Sequence, residues 1–182
     1  MLQKIPLFLI LSLVVLANAP TIAQGDNPVQ YLQFFNNQYQ VINSKNMEYL
    51  QYNVHSDDIN LIEKKRTGLI NQINQSLQAS QALPPFKGDT TLKAGMIGIL
   101  NDYLNAFQVD FKAINLLKQS SYESFKALED YYAALDKAEA KLQENTKAFK
   151  GLQTLWQKQN YKRIPKRLKA YKQPLLKRTT FS

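Results

Sequence analysis

Apolar side chains in this chain recur at alternating three- and four-residue steps. That spacing gathers them on one face of an α-helix, whereas a strand would alternate them every second residue. Leu32, Phe35, Tyr39, Ile42, Tyr49 and Asn53 form the first such row, interrupted at Asn46. Asn27-Pro28 supplies its start: an N-cap side chain, then proline at the first helical position, with Gln30 placed to complete a capping box. The row predicts a helix to about Val54.

His55-Ser56-Asp57-Asp58 marks the next boundary, with Ser56 as cap and two acids at the positive end of a helix dipole. The second row is Ile59, Ile62, Leu69, Ile73 and Leu77, with Lys64, Lys65 and Arg66 on or near its solvated flank. Leu83-Pro84-Pro85-Phe86-Lys87-Gly88-Asp89 is the clearest loop, because its prolines stop one helix and Gly88-Asp89 turns into the cap of another. A third helix over residues 90–118 carries Leu92, Met96, Ile99, Tyr103, Phe107, Phe111, Ile114 and Leu117 on one face. Gly95 and Gly98 weaken it by up to about 1 kcal/mol each, which points to close approach of a neighbouring helix.

A capping box from Ser120 to Glu123 opens the fourth helix. Phe125, Leu128, Tyr132, Leu135, Leu142, Phe149, Leu152 and Trp156 give it a near-heptad, coiled-coil-like seam ending near residue 160. Four rows joined by short turns predict an all-α fold: an antiparallel up-down-up-down four-helix bundle with long helices over residues 24–160.

The N-terminus reads as a signal peptide. Lys4 precedes an apolar run over residues 7–17, far short of the roughly 20 residues a membrane span needs, and small residues follow. Cleavage after Thr21-Ile22-Ala23 makes residues 1–23 the leader and starts the mature chain near Gln24. The chain has no cysteine. Disulfides, thiolate metal sites and cysteine nucleophiles are excluded, so packing must supply the stability of an exported domain.

The formal charge of +9 is unevenly placed. Residues 1–144 carry 12 Lys and Arg against 14 Asp and Glu; residues 145–182 carry 11 Lys and Arg and no acid. Lys158, Lys162, Arg163, Lys166, Arg167, Lys169, Lys172, Lys177 and Arg178 are therefore the candidate anion- and membrane-binding residues, and Pro165 and Pro174 interrupt any helix through them. Tyr161, Leu168, Tyr171, Leu175 and Leu176 interleave the charges, a composition suited to an anionic surface. The expected partners are anionic lipid, lipopolysaccharide or another envelope protein. Export disfavours nucleic acid, although it would satisfy the same charges. A solubilising tail over residues 161–182 is the alternative use of this composition.

Conventional site chemistry has little to build on. His55 is the only histidine, so a metal site would combine it with Asp57 and Asp58, whose placement a helix start already explains. Covalent haem needs cysteines, and a di-iron bundle needs Glu-x-x-His repeats; neither is present. Non-covalent haem would have to use His55 with Met47 or Met96, and Met47 lies on the same helix as His55 or at its end and cannot ligate from the opposite face. Tyr31, Tyr39, Tyr49, Tyr52, Tyr103, Tyr122, Tyr131 and Tyr132 fall at helical spacing as seam and rim residues with wetted hydroxyls. Glu129 and Asp130 point about 100° apart on a helix and cannot act on one bond. Asn74-Gln75-Ser76 matches a glycosylation acceptor, a short pattern that chance also produces. No catalytic residue, cofactor or metal ligand is assigned from the sequence.

The order of export signal, Asn27-Pro28 start, Ser56-Asp57-Asp58 start and Pro84-Pro85-Phe86-Lys87-Gly88-Asp89 loop resembles a family of small exported bacterial surface proteins of unknown function. The similarity spans about residues 27–159, and the Pro-Phe-x-Gly-Asp loop is its most specific element. It implies a helical bundle and an envelope location, with no established enzyme activity; the basic extension looks peculiar to this chain. The sequence thus reads as an exported, non-enzymatic envelope protein that acts by binding. A periplasmic chaperone-like holdase is the alternative among binding proteins, and a metal-dependent protein centred on His55 the alternative in another class.

Overall fold

The structure, a computed structural model, describes residues 27–161. The leader over residues 1–23 lies outside the described residues, as do Lys162, Arg163, Lys166, Arg167, Lys169, Lys172, Lys177 and Arg178. The described chain is all-helical: α1 Pro28–His55, α2 Ile59–Ala82, α3 Thr91–Asn105, a π turn Ala106–Asp110, α4 Phe111–Ser120 and α5 Phe125–Asn160. Among the described residues, no helix is long and apolar enough to cross a membrane.

The caps explain the boundaries and correct two of them. Asn27 caps α1 as expected, its Oδ1 accepting from the N–H groups of Val29 (2.9 Å) and Gln30 (3.4 Å). Asp58, not Ser56, caps α2, because its carboxylate reaches the N–H groups of both Asn60 (3.0 Å) and Leu61 (3.2 Å). Ser56 instead closes α1, its N–H donating to the Tyr52 carbonyl at 3.0 Å. Ser124, not Ser120, caps α5 by accepting from the Ala127 N–H at 3.1 Å. The Ser120 hydroxyl is turned back onto the Leu117 carbonyl, so it cannot serve the next helix.

The loop between α2 and α3 is a tight turn with φ of 51° at Lys87 and 84° at Gly88. Successive positive φ values let the chain reverse within two residues, and Phe86 and Asp89 exchange both backbone hydrogen bonds. The turn is plugged into the core. Phe86 is buried with its ring 5.3 Å from Tyr31 and 5.0 Å from Trp156. Lys93 donates to the carbonyls of Gln81 (2.7 Å) and Leu83 (2.6 Å), a cation at the negative end of α2.

The predicted third helix runs on to Ser120 but is not uniform. At the π turn the Phe111 N–H donates to the Ala106 carbonyl, five residues back, which accommodates an extra residue in the helix. The fully buried rings of Phe107 and Phe111 stack across it at 4.7 Å, and the Tyr49 ring meets both edge-on. Gly95 permits the expected close approach: a Cβ there would lie 2.7 Å from a methyl of Leu152. Gly98 has open space instead.

In α5 the buried seam is Tyr131, Ala138, Leu142, Phe149 and Trp156. Tyr132 and Phe125, expected on the seam, are more than half exposed. The neighbouring Tyr131 takes the inward position because its hydroxyl has a buried partner, Asn53 Oδ1 at 3.4 Å. Packing runs from α1 to α2, from α2 to α3 and α4, and from these to α5; of these pairings with α5, that of α1 is the slightest.

Candidate functional site

Of the nine basic residues that the sequence singles out, the structure places one. Lys158 lies exposed in the last turn of α5, at the root of the basic segment. Two residues earlier Trp156 is buried, and its Nε1–H donates to the Pro28 carbonyl at 3.2 Å. Tyr161 also packs against the core, and its burial pushes the phenol's pKa up. The packed body therefore includes residue 161, one beyond the boundary that the seam predicts. Residues 27–161 hold 14 Lys and Arg against 13 Asp and Glu, whereas residues 162–182 hold eight and none.

A buried polar cluster that the sequence analysis missed joins α1, α2, α4 and α5. Arg66, placed there on the solvated flank, is only 7% exposed. Its guanidinium holds the Glu63 carboxylate, with Nη2 to Oε2 at 2.6 Å, and its Nη1 donates to the Phe107 carbonyl at 2.7 Å. Asn115 Nδ2 donates to the same carboxylate at 2.5 Å. Asn115 Oδ1 in turn accepts from the Tyr49 hydroxyl (2.9 Å) and from Asn53 Nδ2 (2.7 Å). Burial would raise the Glu63 pKa, but the hydrogen bonds from Arg66 and Asn115 prevail and hold it below the usual carboxylate range.

Lys118 closes one end of this cluster. Its ammonium donates to the carbonyls of Asn53 and Ser56, capping α1 with a cation, while burial lowers its pKa against the opposing charge of Asp57. The buried tyrosine hydroxyls have protein partners: Tyr49 bonds Asn115, Tyr131 bonds Asn53, and Tyr31 donates to the Pro84 carbonyl at 3.1 Å. The missed residues did leave a signal. Ile59, Ile62, Arg66, Leu69, Ile73, Ser76 and Ser80 fall at unbroken three- and four-residue steps, so Arg66 occupies a core position by spacing alone.

His55 ends α1 as an exposed residue. Asp58 is engaged as the α2 cap and Asp57 accepts from the Tyr122 hydroxyl at 3.1 Å. Among the described residues no three His, Asp or Glu side chains are gathered to hold a metal ion.

Among the described residues, two grooves run along α5. One, against the π turn, is lined by Asp102, Asn105, Asp110, Lys141, Glu144 and Asn145, with Lys141 paired to Asp110 at 2.6 Å. The other lies between α1 and α5, has a volume of about 460 Å³, and is lined by the uncharged polar Asn43, Asn46, Gln143 and Thr146 together with the charged Glu139, Lys147 and Lys150. Comparison with protein families, with characterised proteins and with solved structures finds no match to this chain.

Proposed function

We propose that this is an exported, non-enzymatic helical-bundle protein of the bacterial envelope that binds anionic envelope surfaces through its basic C-terminal segment. One observation carries the reading: a charge-balanced helical body gives way, one residue after Tyr161, to a segment with eight cations and no acid. Each basic residue near an acidic lipid surface contributes about 1 kcal/mol, so even partial engagement of the eight gives useful affinity.

The body in this proposal is one domain, an antiparallel up-down-up-down bundle whose third helix comprises α3, the π turn and α4. Contacts between opposite helix ends support it. Trp156 near the end of α5 bonds Pro28 at the start of α1, Tyr131 near the start of α5 bonds Asn53 near the end of α1, and Lys93 at the start of α3 reaches the end of α2. Trp156 then fixes the root of the basic segment beside the start of α1.

Co-sedimentation of the mature chain with phosphatidylglycerol vesicles and with phosphatidylcholine vesicles tests the reading. Binding is expected to the anionic vesicles alone and to weaken steeply from 0.1 M to 1 M salt, as the screening length falls from about 10 Å to about 3 Å. Equal binding to both vesicles, or none, contradicts it. Export is tested separately by sequencing the N-terminus of the secreted chain, expected near Gln24.

A chaperone-like holdase is the second reading. Exposed Met47, Val54, Phe125 and Tyr132 favour it, because they offer apolar surface to an unfolded client. Suppression of the aggregation of an unfolded outer-membrane protein would support it.

A further inference from the structure

We infer that the groove between α1 and α5 binds a short extended polypeptide segment, read through its backbone by the carboxamides of Asn43, Asn46 and Gln143. The site lies in the helical body and does not depend on the basic segment.

Two of the contacts between these helices bound the groove. At one, the Tyr39 hydroxyl meets Thr146 Oγ1 at 3.2 Å and the Tyr39 ring stacks on Phe149 at 4.1 Å; at the other, Tyr131 reaches Asn53. The groove is walled by Asn43, Asn46 and Leu50 on α1 and by Glu139, Leu142 and Gln143 on α5, with Lys147 and Lys150 at its Tyr39 end. The lining runs from Glu139 to Lys150 on α5, a helical rise of roughly 16 Å at about 1.5 Å per residue. An extended chain of about five residues spans that length at about 3.3 Å each, and a hexapeptide covers it.

Asn46 points to what the groove accepts. It is only 9% exposed, and its buried Oδ1 has no donor among the described residues. An unsatisfied buried acceptor costs about 1–3 kcal/mol, and a leucine in this helix row would avoid that cost. Rotation about χ2 exchanges the two ends of the carboxamide, so either can face the groove. A carboxamide offers a donor and an acceptor side by side, the complement of a peptide unit's C=O and N–H. Asn46 offers the groove one of these groups at a time, and Asn43 and Gln143, exposed on the two walls, can offer both.

Leu50, Leu142 and, beneath them, Tyr103 form an apolar seat for a side chain of the bound segment. The same floor disfavours a glycan. Sugar rings pack on open aromatic faces, whereas Tyr103 is 5% exposed and packed between Tyr39 and Phe107.

The test is a titration of the mature chain, followed by NMR of the side-chain amides, with a neutral, end-blocked hexapeptide of alternating leucine and serine in 1 M sodium chloride. At that salt the attraction of the basic segment for anions is screened to about 3 Å, so failure of the groove and failure of the surface-binding reading register separately. Saturable shifts at Asn43, Asn46 and Gln143 are expected. Affinity should fall at least tenfold for the same peptide with N-methylated backbone amides, and likewise for the unmethylated peptide with the Asn46→Leu protein. The Asn46→Leu protein should melt at a higher temperature, and Gln143→Ala, at an exposed position, should weaken binding without altering the fold. Absence of saturable shifts at millimolar peptide, equal binding of the N-methylated peptide, or undiminished binding by both variants would overturn the assignment. A chitotetraose that shifts these amides where the peptide does not would also overturn it, in favour of a glycan.

Discussion

Arg66 of α2 donates from Nη1 to the backbone carbonyl of Phe107, inside the π turn, at 2.7 Å. The same guanidinium neutralises Glu63, so one side chain ties a half-buried ion pair to the point where helical pairing widens from four residues to five. Such turns interrupt the helix ladder and expose carbonyls to other donors. The arginine therefore couples the irregular helix to its neighbour.

Arg66→Met should lower stability by about 2–3 kcal/mol, toward the low end for breaking a buried pair because Glu63 keeps partial access to water. Adding Glu63→Leu should restore much of the loss, since the uncompensated carboxylate is removed with its partner. Urea denaturation of the two variants checks both. A negligible effect of Arg66→Met would show that the cluster adds nothing to the fold.

Alkaline pH should unfold the protein through its tyrosines. Burial raises the Tyr31 phenol to about 12 and pushes Tyr49 and Tyr103 upward as well, against an ordinary value near 10. A raised folded-state pKa contributes stability that is intact below pH 10. For Tyr31 it is lost as pH rises from there through about 12, because the unfolded chain gives up the proton first. Absorbance at 295 nm should show exposed tyrosines ionising near pH 10 and a second group ionising together with loss of helix by circular dichroism. Ionisation of every tyrosine before any helix is lost would contradict the burial.

Two glycines of α3 should respond differently to alanine. Gly98→Ala meets open space and gains helix propensity, an expected stabilisation of about 0.5–1 kcal/mol. Gly95→Ala gains the same propensity but must displace a methyl of Leu152 from 2.7 Å, so its net gain should be smaller or absent. Thermal unfolding of the pair decides, and equal shifts would mean that α3 and α5 are not in close contact there.

Most of the fold was legible because the apolar rows are long and their caps are few in type. The errors came where several candidate residues stand together. Ser56 and Asp58 can both cap, and the carboxylate that reaches two N–H groups wins. Tyr131 and Tyr132 are adjacent, and only a partner 78 residues away, Asn53, decides which turns inward. Arg66 was misplaced because its charge outweighed its spacing: the row of α2 passes through it without a break. The π turn left no such mark, since Phe107 and Phe111 keep a regular four-residue step across it. Asn46, read only as an interruption of the α1 row, proved to be buried in that row and to line the groove.

The central claim concerns the segment that follows α5, and truncation tests it most directly. Ending the chain after Tyr161 keeps every described buried residue, including Trp156 and its bond to Pro28, while removing eight of the nine candidate cations. The measurement is co-sedimentation with phosphatidylglycerol vesicles at 0.1 M salt, comparing the mature full chain with this truncation, with circular dichroism of both. The account predicts unchanged helix content and a loss of most vesicle binding in the truncated protein. Equal binding by the two proteins would contradict it, and would place the anion-binding surface on the helical body.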